Sequence, residues 1–471
     1  MIIRYYTIRA DKKWKGWGRA VQDSPTKTQT VRIERMAYSP SAIAKADDGK
    51  TLFIDGGAPG DVAKVSITEE KPSYALARID KIVEPSALRT QNSPACTAFC
   101  GGCPWAHLSY EAQCDSKREN VIDTLSRIGK MDKAHANEIV EACVPSKRQW
   151  GYRNKLELGV KSDAQGKLVL GMFAEGSHDL TPIASCPLAN KFIEKTPKAL
   201  QGALRFASGS DSLGIFRIGI RASVRTKSTE VALWTPPSAF PRAHVANTLS
   251  KSGKYTSIVR VLADPGKARK VKKVERLSGQ GCWEEELLDT RFLTSAPSFF
   301  QVNTAQAEVL ITRVLDALGD VEGAYIADLY AGGGTFSIPL AKAGADVVAV
   351  EAASSSVADL RRNADINGVF VDAVCGDAAD ELSALGTLDA LIVDPPRSGL
   401  APSMIKTIAK AKPGTIVYIS CNPATLARDI ERFGQAGYQP KRVTPVDMFP
   451  QTYHVETVVS LVRAGKKHAG S

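Results

Sequence analysis

The sequence predicts an α/β protein in which a doubly wound parallel sheet follows a small OB-type β-barrel and an α+β central region. Strands and helices alternate regularly after residue 324, whereas residues 31–90 contain short alternating strands separated by turn-forming residues. A length of 471 residues suggests about three units that can each bury a core. Hydrophobic residues make up 44% and charged residues 24% of the chain, which excludes disordered and fibrous classes.

We expect four parts along the chain. Residues 1–30 are basic and polar and form an N-terminal arm, and residues 31–90 form the barrel, with turns at "DDGK", "GGAPGD" and "EKPS". Residues 91–290 form the central domain, which opens with the helical stretch "YEAQCDSKRENVIDTLSRIG" and continues with strands. Residues 291–471 form a Rossmann-like domain.

The charge of the chain favours a polyanionic partner. The formal net charge is +11, from 61 basic and 50 acidic side chains. The stretches "RADKKWKGWGR" and "KARKVKKVER" suit phosphates, although such runs are more often solvated faces. No 18-residue apolar run and no signal peptide is evident, so we expect a cytoplasmic protein without a membrane partner. Its nine cysteines are then core residues, ligands or catalysts rather than disulfides.

The regular alternation in the C-terminal region predicts where a ligand binds. Five strands are predicted, with helices such as "SSSVADLRRNADING" and "ATLARDIERFGQAG" between them. Their predicted ranges are 324–330, 346–351, 371–375, 388–393 and 415–420. In such sheets ligands bind outside the carboxyl ends of the strands.

Polar residues follow these predicted strands in a pattern that suits an adenosine-bearing cofactor. In "DLYAGGGTFS" a glycine turn follows the first strand, and glycine lets the backbone approach a ligand closely. Ser337 stands where a dinucleotide motif would place glycine, which disfavours a pyrophosphate ligand. Glu351 follows the second strand and can accept hydrogen bonds from ribose hydroxyls, whereas Asp377 can receive the adenine amino group. With Asp394 in "IVDPPRSG", these segments resemble a class I S-adenosylmethionine-dependent methyltransferase.

Cys421, in "VYISCNPATL", follows the fifth predicted strand and could be a core residue, a metal ligand or a nucleophile. A packing cysteine needs no place at the rim of a sheet, whereas a thiolate that attacks a bound substrate does. Beside a methyl donor, a thiolate can add to C6 of uracil and thereby make C5 nucleophilic. A base must then remove the C5 proton, and Glu456 in "HVETVV" is our candidate, with His454 as its competitor.

Five segments are specific enough to indicate a family. "SFFQVN", "DLYAGGGTFS", "DPPRSG", "SCNPATLARD" and "HVET" resemble the catalytic domain of the RNA uracil-5 methyltransferases, which make 5-methyluridine. The resemblance implies that Cys421 is the nucleophile, Glu456 is the base and Asp394 lies near the methylated base. It also implies that six residues contact S-adenosylmethionine: Gln301, Tyr330, Thr335, Glu351, Asp377 and Asp394.

A cysteine triplet, "CTAFCGGCPW", predicts a metal or cluster site at Cys96, Cys100 and Cys103. Thiolates accept zinc or an iron-sulfur cluster, and spacing alone does not separate them. The spacing also matches radical S-adenosylmethionine enzymes, although the triplet lies outside the doubly wound region. "YRNKLELGV", "LGMF" and "ASCPL" resemble the middle region of the same RNA methyltransferases, which implies that Cys186 completes a 4Fe-4S cluster. That family usually has five residues rather than three between the first two ligands.

The barrel resembles a TRAM domain, an OB-type RNA-binding module, although "YSPSAIAK" stands where a glycine-rich turn is usual. Because the bacterial tRNA branch of the family typically lacks both barrel and cluster, the resemblance implies 23S rRNA as the substrate, with tRNA as the alternative. We expect a monomer that flips uracil out of an opened RNA loop. Two other classes remain open: amino-group methylation, which would want Asn-Pro-Pro-aromatic in place of "DPPR", and an iron-sulfur RNA-binding protein without activity.

Overall fold

The computed structural model describes residues 27–94, 96, 100–173, 179–209, 212–266 and 270–463. Most of the predicted basic arm, residues 1–30, lies outside these ranges, as do the first three residues of "KARKVKKVER". Within the ranges described, no helix combines the length and apolar character that crossing a membrane requires.

The N-terminal strands form a closed five-stranded barrel that is consistent with the predicted OB-type fold. Its strands are β1 (Thr28–Met36), β2 (Ser41–Lys45), β3 (Thr51–Asp55), β4 (Val62–Glu70) and β5 (Tyr74–Glu84). They pair in the order β1-β2-β3-β5-β4. Exposed and buried residues alternate along most of β1, as expected of a strand with one face on a core. The buried Asp61 carboxylate accepts hydrogen bonds from Arg89 and from the amides of Ala58 and Ser86, which closes the barrel end.

The central region combines helices with a second sheet, as the α+β prediction requires. The sheet has seven strands in the order β12-β11-β10-β9-β6-β7-β8, and a separate β13-β14 hairpin follows it. In chain order the elements are α1 (Tyr110–Arg127), α2 (Lys133–Ile139), β6 (Lys155–Ser162), β7 (Leu168–Phe173), β8 (Leu180–Pro182), α3 (Thr196–Ser208), β9 (Arg217–Ala222), β10 (Thr229–Thr235), α4 (Arg242–Ser252), β11 (Ser257–Leu262), β12 (Lys273–Gly279), β13 (Trp283–Leu287) and β14 (Thr290–Thr294).

The C-terminal region is a seven-stranded doubly wound sheet of order β17-β16-β15-β18-β19-β21-β20. Its central strands are mostly apolar, as in "ALIV" of β18, which is typical of strands covered by helices on both faces. Its elements are α5 (Thr304–Leu318), β15 (Tyr325–Leu329), α6 (Ser337–Lys342), β16 (Asp346–Glu351), α7 (Ser354–Ile366), β17 (Asp372–Cys375), α8 (Ala378–Ala384), β18 (Ala390–Val393), α9 (Pro402–Ala411), β19 (Thr415–Ser420), α10 (Pro423–Gln435), β20 (Tyr438–Val446) and β21 (Glu456–Arg463).

The direction of the last strand departs from a purely parallel sheet. Strands β15 to β19 are parallel, but β21 runs antiparallel to both β19 and β20, between which it is inserted. The chain can place it there because a loop of nine residues joins β20 to β21 without a crossover helix. This insertion brings the start of β21 to the carboxyl end of β19.

Helix α1 packs on the C-terminal domain rather than on the central sheet. Its buried side chains Val121, Ile122 and Leu125 belong to the same core as Leu426 and Phe433 of α10. Its N-cap is Ser109, whose hydroxyl accepts a hydrogen bond from the amide of Ala112 at 3.3 Å. The helix therefore fixes the segment that follows the cysteine triplet against the sheet that carries the candidate active site.

Candidate active site

The glycine turn lies at the switch point of the sheet, where strand order reverses between β15 and β18. Tyr330, Gly332 and Gly334 all have positive φ angles, of 66°, 56° and 90°. A side chain at Gly334 would approach Ile338 to 2.9 Å, so the turn depends on glycine there. The chain therefore turns tightly at the end of β15.

The Glu351 carboxylate, at the end of β16, is held against this turn. It accepts hydrogen bonds from the amide of Gly332 at 3.0 Å and from the amide of Ala353 at 2.7 Å. A carboxylate has about four acceptor positions, so two remain for the hydroxyls of a ribose. Glu351 thus lies at the strand end where the sequence places it, with capacity for a ligand.

Two more predicted cofactor residues follow the neighbouring strands. Asp377 lies two residues after β17 and caps α8, because one carboxylate oxygen accepts the amide of Ala379 at 2.9 Å. Asp394 directly follows β18, and burial together with the charge of Asp328 raises its pKa to about 7. Both carboxyl groups therefore lie along the same edge of the sheet as Glu351.

Asp328 is a buried carboxyl group with an unpaired oxygen. Its Oδ2 accepts the Ser337 hydroxyl, whereas its Oδ1 is buried without a hydrogen-bond partner among the described residues. Burial raises its pKa to about 7. An unpaired oxygen beside a glycine turn fits a site that a polar ligand completes.

Gln301 and Thr335 are two further predicted cofactor residues. Gln301 is buried between β14 and α5, and its carbonyl accepts a hydrogen bond from the Asn154 side chain at 2.9 Å. Thr335 is half-buried in the glycine turn itself. The contacts of both residues with a cofactor stay predictions.

The strand register brings Cys421 and Glu456 together. The β19-β21 ladder ends on the pair Ser420 and Thr457, so the next positions in register are Cys421 and Glu456. The two groups interact, because the charge of Glu456 adds to burial in raising the pKa of the Cys421 thiol to about 11. Burial and the nearby Asp394 raise the pKa of Glu456 well above its usual range.

Arg397 is a site residue that the sequence reasoning missed. Its side chain hydrogen-bonds the Cys421 thiol, and its charge lowers the pKa values of both Cys421 and Glu456 against the effect of burial. The arginine lies in "DPPRSG", whose aspartate alone was considered. It supplies the positive charge that a thiolate needs in a buried crevice.

His454, the competing base, also lies at this site. Burial and the charges of Arg397, Lys117 and Arg153 lower its pKa to about 4, so its imidazole is neutral at pH 7. Its ring lies 4.2 Å from that of Tyr453 and 5.9 Å from that of Phe449. The charge of Arg397 therefore acts on His454 as well as on Cys421 and Glu456.

The four predicted cluster cysteines are close enough to affect one another electrostatically. Burial, followed by the charges of Cys186, Cys100 and Cys96, raises the pKa of the Cys103 thiol to about 12. Among the described residues, no three His, Cys, Asp or Glu side chains are close enough to hold a single metal ion. A cluster of several irons spaces its thiolates more widely than one ion does.

The surroundings of Cys186 raise the pKa of its thiol, with burial as the largest cause. Burial raises its pKa, but hydrogen bonds from the amides of Leu188 and Ala189 and the charge of Arg153 act in the opposite direction. Donors of this kind are what a sulfur ligand needs in a partly apolar setting. The four thiols therefore lie in one neighbourhood, which is the arrangement that a shared ligand set requires.

The remaining cysteines differ in their surroundings. Cys143 is buried and hydrogen-bonds Cys114, whereas Cys282 is half-buried. From the sequence alone we expect Cys114, Cys143, Cys282 and Cys375 to be packing residues, because they match no ligand position. Cys375 is exposed at the end of β17, so this prediction is wrong for Cys375.

The doubly wound sheet, its glycine turn and the strand-end carboxylates define a class I S-adenosylmethionine-dependent methyltransferase. The sequence model of the tRNA (uracil-5-)-methyltransferases matches residues 286–385 and 386–464, and that of the TRAM domain matches residues 25–79. The chain belongs to this RNA uracil-5-methyltransferase family, because several RNA methyltransferases are at least 30% identical to it over most of its length.

Two relatives and one solved structure illustrate the similarity. An uncharacterized RNA methyltransferase of Listeria innocua is 33% identical over 92% of this chain and 98% of its own length. An uncharacterized RNA methyltransferase of Gloeobacter violaceus is 32% identical over 93% of this chain and 97% of its own length. The crystal structure of the Pyrococcus abyssi tRNA (uracil-54, C5)-methyltransferase in complex with S-adenosyl-L-homocysteine is 27% identical, with a TM-score of 0.71, and covers 92% of this chain and 99% of that chain.

Proposed function

We propose that this enzyme transfers a methyl group from S-adenosylmethionine to C5 of a uracil in 23S rRNA, with Cys421 as nucleophile and Glu456 as base. The observation that carries the proposal is the register of β19 and β21, which sets the two residues side by side. Both lie at the edge of the sheet that carries the glycine turn. A cysteine that only packs in the core would need neither Glu456 nor the glycine turn nearby.

The reaction begins when the Cys421 thiolate adds to C6 of the flipped uracil. A carbon-sulfur bond forms, and the electron pair of the C5-C6 double bond moves into an enolate across C5 and O4. Bound S-adenosylmethionine supplies an electrophilic methyl group on its sulfonium. As C5 takes that methyl, the bond between the methyl and the sulfonium would break with its electron pair left on sulfur, which gives neutral S-adenosylhomocysteine. Glu456 then accepts the C5 proton, the C5-C6 double bond re-forms, and the carbon-sulfur bond to Cys421 breaks, so that Cys421 leaves as a thiolate.

The electrostatics support this order of steps. The charges of Cys421 and Glu456 repel each other in a buried crevice, which makes simultaneous ionisation costly. When the thiolate becomes a thioether, its charge leaves the sulfur and the repulsion ends. Glu456 can then ionise and act as a base of high pKa, which favours proton removal from carbon.

We propose that the cofactor contacts the six residues named from the sequence. Glu351 would bind the ribose hydroxyls, Asp377 the adenine amino group and Tyr330 the adenosine beside the turn. The remaining contacts would come from Gln301, Thr335 and Asp394. Free acceptor capacity on Glu351 and the Asp328 oxygen that has no partner among the described residues support this assignment.

We also propose that Cys96, Cys100, Cys103 and Cys186 hold a 4Fe-4S cluster. The electrostatic coupling of Cys103 to the other three thiols and the donors around Cys186 support it. Since methyl transfer moves no electrons to the protein, the cluster would be structural or RNA-contacting. The proposed division of the chain is the one expected from the sequence: arm 1–30, barrel 31–90, central domain 91–290 and catalytic domain 291–471.

The choice of 23S rRNA rests on the presence of both a barrel and a cysteine set. The second candidate is tRNA, and one observation favours it: the tRNA enzyme of Pyrococcus abyssi aligns with 92% of this chain at a TM-score of 0.71. A tRNA-type enzyme can therefore have the same overall arrangement.

Nucleoside analysis separates the two substrates. Anaerobically purified protein is incubated with S-adenosylmethionine and either unmodified 23S rRNA or unmodified tRNA, and the digested RNA is analysed by mass spectrometry. We expect 5-methyluridine in the rRNA and none in the tRNA. 5-Methyluridine in tRNA alone would show that tRNA, not 23S rRNA, is the substrate. A methyl group on an exocyclic amine would contradict the proposed reaction at C5.

A further inference from the structure

The loop between β1 and β2 carries a barrel residue into the catalytic crevice. In this loop, residues 37–40, the chain has a tyrosine and proline where a glycine-rich turn is usual for the barrel. The Tyr38 hydroxyl donates a hydrogen bond of 3.0 Å to the backbone carbonyl of Cys421, 383 residues away in sequence. The barrel therefore contacts the backbone of the nucleophile itself.

The Cys421 carbonyl occupies a position that secondary structure leaves without a partner. The β19 ladder ends at Ser420, and α10 begins after its N-cap, Asn422. Neither element therefore provides a donor to the residue between them. The Tyr38 hydroxyl meets that need, and a buried carbonyl without it would carry a desolvation cost.

The Tyr38 ring lies over the same crevice. It makes an edge contact with the Tyr453 ring, with centroids 5.5 Å apart, and the His454 ring lies 6.4 Å away. The phenol is also near the catalytic groups, because burial and the charges of Cys421 and Glu456 raise its pKa. One wall of the space around the thiol is therefore aromatic and comes from the barrel.

Trp105 fixes this loop relative to the base. It is fully buried, and its indole N–H donates to the carbonyl of Ser39 at 3.1 Å. Its backbone amide donates to the carbonyl of Gln451 at 3.0 Å, in the loop that leads to Glu456. Trp105 thus links the Tyr38 loop, through its side chain, to the loop before Glu456, through its backbone.

We propose that Tyr38 is a positioning residue that fixes the Cys421 backbone and walls the crevice, so that the barrel completes the active site as well as binding RNA. The proposal rests on the proposed function, in which Cys421 must meet C6 of a flipped uracil. A backbone shift of the nucleophile would lower the rate of attack without changing the grip on the RNA.

Kinetics of two matched variants test this role. Tyr38→Phe removes only the hydroxyl, and Tyr74→Phe makes the same change on β5, where the ring packs on Phe53. With the RNA that the wild type methylates, we expect Tyr38→Phe to lower kcat by roughly three- to tenfold with KM for RNA unchanged. Tyr74→Phe should alter neither. An unchanged kcat, or a rise in KM alone, would overturn the proposal.

A second measurement needs no RNA and separates this inference from the proposed function. The alkylation rate of Cys421 by iodoacetamide is followed in the free protein by peptide mass spectrometry, with Cys282 as the internal reference. Tyr38→Ala should raise the Cys421 rate by about threefold or more, relative to Cys282, because the aromatic wall is gone. An unchanged ratio overturns the wall. If the wild type makes no 5-methyluridine, the proposed function is wrong. The ratio of the Cys421 and Cys282 alkylation rates still shows whether Tyr38 shields the Cys421 thiol.

Discussion

At the scale of single residues, the nucleophile occupies a site that opposes its own ionisation. Burial and the charges of Glu456 and Asp394 raise the pKa of Cys421 to about 11, and only Arg397 acts against them. A thiolate of high pKa is scarce at neutral pH but strongly nucleophilic once formed. The site therefore depends on one guanidinium to keep the thiolate accessible.

Removal of that guanidinium should shift the pH dependence of thiol reactivity. In the wild type we expect the alkylation rate of Cys421 to rise about tenfold per pH unit below its pKa. Arg397→Ala raises this pKa, so the rate at a given pH should fall and the curve should move to higher pH. Arg397→Lys, which keeps the charge, should move it less. The measurement is the rate of iodoacetamide alkylation from about pH 6 to about pH 10, an upper limit that lies roughly one unit below the thiol pKa. Identical curves for the wild type and Arg397→Ala would contradict this electrostatic account.

The choice between the two candidate bases can be read from a trapped intermediate. Without a base the C5 proton stays, the carbon-sulfur bond cannot break, and methylated RNA remains attached to Cys421. We expect Glu456→Gln to accumulate this adduct on ordinary RNA, as seen on a denaturing gel. His454→Gln should slow turnover without accumulation. The reverse pattern would make His454 the base.

The residues that the sequence could not assign are those whose roles depend on distant partners. The sequence placed Cys421 and the strand-end carboxylates at the ends of recognisable strands, whereas Glu456, the first residue of β21, was assigned from the family resemblance of "HVET". Arg397 and Tyr38 could not be predicted, since an exposed loop arginine and a barrel tyrosine acquire their roles only through contacts made by folding. Tyr38 and Cys421 are 383 residues apart, beyond any local pattern.

At the scale of elements, the last strand, β21, positions the proposed catalytic base. The alternation of strands and helices predicts the five parallel strands to within about two residues of their observed bounds. The antiparallel insertion of β21 was not predicted, because its apolar sequence is compatible with either direction. That insertion places Glu456 opposite Cys421, one position beyond the end of the ladder.

Helix α1 holds the loop between β20 and β21 through a fully buried ion pair. The ammonium of Lys117 contacts the carboxylate of Asp447, and both side chains are shielded from solvent. Tyr110 donates a hydrogen bond to the other Asp447 oxygen at 2.7 Å. The loop that carries His454 is thereby fixed to a helix outside the sheet.

Breaking one side of this pair should be costly. Lys117→Met leaves a buried carboxylate without its countercharge and should lower the free energy of unfolding by about 3–5 kcal/mol. Lys117→Met combined with Asp447→Asn keeps an acceptor for Tyr110 and removes the stranded charge, so it should recover most of the loss. Urea unfolding of the three proteins measures both values. A double variant no more stable than the single one would show that the charge is not the cause.

At the scale of the whole molecule, three units meet around one crevice. The segment after Cys103 contacts the barrel loop and the Glu456 loop through Trp105, so the proposed cluster would stabilise the junction rather than take part in methyl transfer. The cysteine spacing predicts a ligand set, but spacing could not reveal that the set borders the active site.

Metal analysis tests the cluster. Anaerobically purified protein should contain about four irons and about four acid-labile sulfides per chain. Cys186→Ser should lose most of that iron and the visible absorption, whereas Cys282→Ser should retain both. Zinc in place of iron would show that the four cysteines form a structural zinc site rather than a cluster. The absence of both metals would contradict a metal site at these cysteines.

The most direct test of the catalytic account is a covalent trap. Substrate RNA containing 5-fluorouridine can accept the methyl group, but fluorine cannot leave as a cation, so the enzyme should stay attached. We expect wild type and Cys282→Ala to form a complex that survives denaturation, with the modified nucleotide mapped to the Cys421 peptide. Cys421→Ala should form none. A complex on another residue, or 5-methyluridine made by Cys421→Ala, would contradict the account.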